Sequence, residues 1–137
     1  MLALEFVTDA LRGIGVLSEI DSPSAEQGQD GVRKFNELMA SLAEDGIDLG
    51  WAPIANTAST VVIPLGHVAT IKALLGKACA PLYGAEVPGA VAQTADQGYR
   101  RLLNQAISMQ IERAQSETLP IGQNYYGNGR FSILRGY

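Results

Sequence analysis

The sequence predicts a mainly α fold, a four-helix bundle with a small β arm between helices 2 and 3 and an extended C-terminal tail. Three observations carry this. Four stretches repeat apolar residues at the 3.6-residue period of an amphipathic helix; the stretch at about 47–64 has no such period and is β-favouring; and residues 118–137 hold no acid, four glycines and three tyrosines. The division that follows is a helical domain over 1–117 and a tail over 118–137.

The first helix, 2–14, sets Leu4, Val7, Leu11 and Ile14 on one stripe, widened by Phe6 and Ala10, and Gly13 and Gly15 stop it. Val16 and Leu17 in the short connection are expected to pack back on the core. Within 22–50, Val32, Phe35, Leu38, Met39 and Leu42 form the second apolar stripe. Its start is open between Ser22 capping ahead of Pro23 and a capping box of Ser24 with Gln27. Gly46 can take the left-handed conformation that ends a helix, which leaves Glu44 and Asp45 unfavourably near the negative end. About 22 residues at 1.5 Å each give roughly 33 Å, the length of a small domain.

Beyond Gly46, Ile47, Leu49 and Trp51 alternate as in a short strand, and Thr60, Val61, Val62 and Ile63 form a second β-favouring run, with a turn at 56–59. Such a two-stranded arm is marginal alone and needs the bundle or a neighbouring subunit to lie against, with Trp51 as its anchor. A third helix, 67–83, aligns Val68, Ile71, Leu74, Leu75, Ala78 and Leu82; its small residues admit another helix closely. The longest helix, 89–117, keeps Val91, Ala95, Tyr99 or Gly98, Leu102, Ala106 and Met109 on one stripe and Leu103, Ile107 and Ile111 on the adjoining one. Apolar on two faces, it is expected to reach past its own bundle, with Arg100, Arg101 and Arg113 on its polar edge as inter-subunit contacts. The aromatic tail is too apolar for a random coil and too rich in glycine to extend the bundle, so it belongs in a groove or sheet edge of another chain.

At 137 residues the chain is large enough for one core. No run of about 18 apolar residues is present, and no basic-then-apolar start, so neither a membrane span nor a secretory signal is expected. Charge is divided unevenly. Residues 1–50 hold ten acids against Arg12, Arg33 and Lys34, net −7, while residues 51–137 hold seven bases against four acids, net +3. Such a chain repels a DNA backbone with one half, which disfavours a basic-patch DNA binder. The two halves can face neighbouring copies, or simply water. A small helical DNA-binding regulator is the rival reading; the first turns of the second helix offer Glu26, Gln27, Gln29 and Asp30, two acids and no base to meet phosphates, which counts against it.

No phosphate loop, nucleophile elbow, metal-spaced His and Cys cluster or dinucleotide fingerprint is found. The only cysteine, Cys79, and the only histidine, His67, are separated by about 18 Å of helix at 1.5 Å per residue, and Cys79 reads as a small packed hydrophobe. Glu44, Asp45 and Asp48 read as solvated acids. The chain is expected to be no enzyme, with no cofactor, metal or catalytic residue.

The opening ALRGIGV, the helix PSAEQGQDGVRKFNELMASLAEDGIDLGW, the later APLYGAEV, and a long helix before a tyrosine- and glycine-rich tail together resemble the tail accessory factor, or packaged-DNA stabilisation protein, of short-tailed bacteriophages, over about residues 3–120. The resemblance implies a head-to-tail adaptor in the virion, at the head–tail junction, after assembly in the host cytoplasm. It implies a homo-oligomeric ring of twelve beneath the portal protein, with tail nozzle or tail tube proteins at the other end and DNA passing through without sequence-specific binding. Carried onto this chain, the portal-binding side chains are Tyr125, Tyr126, Phe131, Ile133, Leu134 and Tyr137. Inter-subunit contacts fall to Trp51, Arg100, Arg101 and Arg113; Glu37, Glu44 and Asp48 are candidates for the channel lining. Some members of the family are associated with cell-wall hydrolysis; no catalytic pair supports a muralytic enzyme here.

Overall fold

A computed structural model describes residues 1–118. The chain divides into one compact unit over Met1–Ala106 and a second that begins at Ile107. Among the described residues there are four α-helices: α1 (Ala3–Gly13), α2 (Ala25–Glu44), α3 (Val68–Cys79) and α4 (Gly89–Thr118). Short 3-10 turns, Leu65–His67 and Ala80–Tyr83, flank α3. The predicted third helix tightens into the second of these over its last turn, where Pro81 removes a donor.

The core of the first unit lies where α1, α2 and α3 meet. Phe6, Leu11, Phe35, Met39, Ile71 and Leu75 are buried there, and the rings of Phe6 and Phe35 meet edge to face at 5.5 Å and 76°. Glycines set how closely the helices approach. A Cβ on Gly31 would stand 2.3 Å from a methyl of Val7, and one on Gly76 would stand 3.2 Å from the carbonyl oxygen of Ala10. Val16 and Leu17 pack against this core from the α1–α2 connection, as expected.

The start of α2 is the Ser24 capping box and not Ser22 with Pro23. The Ser24 hydroxyl accepts from the Gln27 N–H at 3.1 Å, and the Gln27 side chain accepts from the Ser24 N–H at 2.9 Å. Its end is a Schellman turn: Gly46, at φ 85°, donates to Ala43 and Ile47 donates to Leu42. Ile47 and Leu42 are both buried, the apolar contact that accompanies this turn.

The expected β arm is not formed: among the described residues the fold has no strand, only an isolated bridge between Leu2 and Thr60. The hydrogen bonds that would have paired the two limbs go elsewhere. The carbonyls of Thr57 and Ser59 accept from the N–H groups of Leu4 and Ala3 at 3.0 and 2.8 Å, capping α1, whose N-cap residue Leu2 offers no side-chain oxygen. Ile54 is held by Asn36 of α2, whose carboxamide donates to the Ile54 carbonyl at 2.9 Å and accepts from its N–H at 3.1 Å. Segment 47–64 therefore lies on the helices, with Ile47, Ile54 and Val61 as its buried anchors.

The Asn36 clamp is testable. Asn36→Leu should leave two half-buried main-chain groups of Ile54 unpaired and cost about 1–3 kcal/mol in urea melts. Asn36→Asp should be worse at neutral pH than at pH 3–4. An ionised carboxylate repels the Ile54 carbonyl, so the folded state raises that group's pKa, and stability is regained as pH falls through the raised value. An Asn36→Asp loss that does not shrink on acidification would mean the carboxamide donates nothing to Ile54.

Candidate interaction surfaces

The 89–106 part of α4 is seated in the first unit by a narrow apolar seam, Ala95 and Leu102 being its buried side chains. Gly98 is the close approach, where a Cβ would fall 2.3 Å from the Thr70 hydroxyl of α3. Two polar ties flank the seam. Lys77 meets Asp96 at 2.9 Å, and this hydrogen bond with its charge holds Asp96 below the usual carboxylate range. The Tyr99 hydroxyl donates to Asp45 at 2.8 Å, a bond that raises the phenol's pKa. That bond also gives Asp45 a donor at the negative end of α2, where its charge is otherwise unfavourable. Neither tie shows in sequence, since 54 residues separate Tyr99 from Asp45.

Trp51 is half-buried against the core of its own unit. Arg100 and Arg101 are exposed on α4, and Arg113 is exposed in the second unit. Glu37 is exposed and paired with Lys34 at 3.2 Å and Arg33 at 3.8 Å. Glu44 and Asp48 are exposed, the Asp48 carboxylate accepting from the Gly50 N–H at 2.9 Å. Tyr125, Tyr126, Phe131, Ile133, Leu134 and Tyr137 lie outside the described residues.

On the second unit Ile107 and Ile111 of the adjoining stripe are 46 and 53% exposed, and Met109 of the first stripe is 60% exposed. Elsewhere the surface offers shallow hollows. One of about 310 Å³ is walled by small residues of α1, α3 and the first turns of α4, with Lys72 and Asp9, paired at 2.7 Å, at its edge. Cys79 is buried and its thiol is pushed up to about 11, which holds it as the unreactive neutral form. Among the described residues no three His, Cys, Asp or Glu side chains cluster as a metal site, and no helix is long and apolar enough to cross a membrane.

Fold and surface together define a class, a small helical subunit with uncovered apolar side chains on its last helix, the makings of contact with other chains. The particular family follows from comparison: a family profile described as P22 tail accessory factor matches residues 3–133, and the chain belongs to that family. It is thus a structural component of a phage tail, virion-associated and built to meet other head or tail components. No individual curated protein matches the chain.

Proposed function

We propose that this tail accessory factor is a head-to-tail adaptor, a ring of twelve copies that joins portal protein to tail nozzle or tail tube proteins and helps retain packaged DNA. The observation that carries this reading is the exposure of the large apolar side chains Ile107, Met109 and Ile111, followed in sequence by the aromatic residues of the tail. Covering a fully exposed large apolar side chain is worth about 1.5–3 kcal/mol, and these half-exposed ones gain roughly half of that each, so they favour a partner. Tyr125, Tyr126, Phe131, Ile133, Leu134 and Tyr137 grip the portal. Trp51, Arg100, Arg101 and Arg113 serve the contacts between copies, and side-to-side contacts of unlike surfaces close the ring. Glu37, Glu44 and Asp48 face the channel, where their charge keeps DNA from adhering. The subunit carries no catalytic step.

Deleting 119–137 tests the docking assignment. The truncated chain should keep its helical circular dichroism and its melting temperature, yet fail to co-migrate with purified portal in size-exclusion chromatography with light scattering. Portal binding that survives the deletion would refute the tail's role.

A further inference from the structure

Segment 47–64 leaves two main-chain edges unused. Both bonds of Ile54 go to a single carboxamide, which requires extended backbone there, so the groups of Pro53 and Ala55 point the opposite way. Ser59 and Val61 turn inward, the first accepting from Ala3 and the second donating to the Met1 carbonyl at 2.8 Å. Thr60 and Val62 therefore present N–H and C=O outward. Pro53, Ala55, Thr60 and Val62 are all exposed, Val62 to 68%.

An open edge ordinarily carries charges that discourage pairing. Here the 18 residues 49–66 contain no Asp, Glu, Lys or Arg. The second edge belongs to Thr-Val-Val-Ile, a β-branched run suited to a ladder. The two edges are also complementary. Ala55 offers one donor and one acceptor and Pro53 one acceptor, against two donors and two acceptors on Thr60 and Val62. Three N–H···O bonds can form between them. A closed ring needs two different patches on each subunit that fit one another, whereas two identical patches only pair copies about a two-fold axis.

We propose that, beside the side-chain contacts of Trp51, Arg100, Arg101 and Arg113, neighbouring copies are joined by a main-chain ladder, in which the 60–62 edge of one copy is completed by the 53–55 edge of a second copy. This rests on the ring reading and adds to its side-to-side contact. Trp51 and the buried Val61 hold the two limbs at fixed places on the helices, and Asn36 keeps the first limb extended. Each copy thereby donates one edge and receives the other.

The test is cross-linking in virions complemented with two variants, Ala55→Cys and Thr60→Cys, the pair that the three bonds set opposite one another, mixed in equal amounts; native Cys79 is buried and takes no part. Oxidation should give covalent dimers from the mixture and none from either variant alone. Val62→Lys should leave the melting temperature of the free chain unchanged and abolish incorporation, while Val62→Thr keeps it. Dimers from Thr60→Cys alone would show like edges pairing and overturn the proposal. So would full incorporation of Val62→Lys into portal-attached rings, which leaves the ring intact without this contact. Virions whose wild-type chains are single copies without neighbours would instead overturn the ring and the ladder with it.

Discussion

Phe35→Ala is expected to remove about 3–5 kcal/mol of stability, measured as a lower urea midpoint at unchanged slope. Phe35 is 2% exposed and meets Phe6 edge-on at the junction of α1, α2 and α3. Truncation forfeits the transfer energy of the ring and leaves a void. The helices cannot close it, because Gly31 and Gly76 already hold α1 at the shortest distance from α2 and α3 that Val7 and Ala10 permit. It also forfeits about 0.5–1.5 kcal/mol of ring–ring geometry. Against a total of about 5–15 kcal/mol for a domain of this kind, the variant would be close to unfolded at 37 °C. Leu65→Ala is the control: at 90% exposure it should change stability by less than about 0.5 kcal/mol. A Phe35→Ala loss below about 1 kcal/mol would mean that this junction is not the core.

The helices were legible because their signals are local. Val32, Phe35, Met39 and Leu42 lie on one stripe whatever else the chain does, and the Ser24–Gln27 box and the Gly46 turn are written within a few residues. The limits of α1 and α4 and the end of α2 follow, while the start of α2 stays open between Ser22 and Ser24 until the structure shows the Ser24 box. Segment 47–64 departs from the expected arm for the opposite reason. Its β-favouring composition is real, but backbone pairing depends on which partner reaches the donors first, and here the open N-terminus of α1 and the carboxamide of Asn36 do so. Nothing at position 36 marks it except an amide beside an apolar stripe. Tyr99 and Asp45 are equally silent, since their bond exists only once α4 has been seated. The surfaces divide the same way: the uncovered stripe at Ile107 and Ile111 follows from period, whereas the outward turn of Thr60 and Val62 needs the fold.

The seat of α4 gives the second large effect, and its sign runs against helix propensity. Alanine is worth about 1 kcal/mol more than glycine inside a helix, so Gly98→Ala should stabilise α4 taken alone. In the folded chain the new Cβ would stand 2.3, 2.4 and 2.8 Å from Oγ1, Cγ2 and Cβ of Thr70. Thr70 is buried and β-branched, so it has no free rotamer into which to retreat. Overpacking of this kind costs about 1–3 kcal/mol, which offsets the propensity gain and leaves the whole chain destabilised. Gly89→Ala, at an open position of the same helix, should be neutral or mildly stabilising. Thr70→Ala should partly rescue Gly98→Ala by removing two of the three close atoms, giving a coupling of about 0.5–3 kcal/mol in a double-mutant cycle. A clash at this one residue, flanked by the Lys77–Asp96 and Tyr99–Asp45 ties, would lift 89–106 from α3 while leaving the α1–α2–α3 core packed. Amide exchange should then rise at Ala95 and Leu102 and stay slow at Phe35 and Leu75. Uniform loss of protection across both sets would show instead that α4 and the three-helix core unfold as one unit.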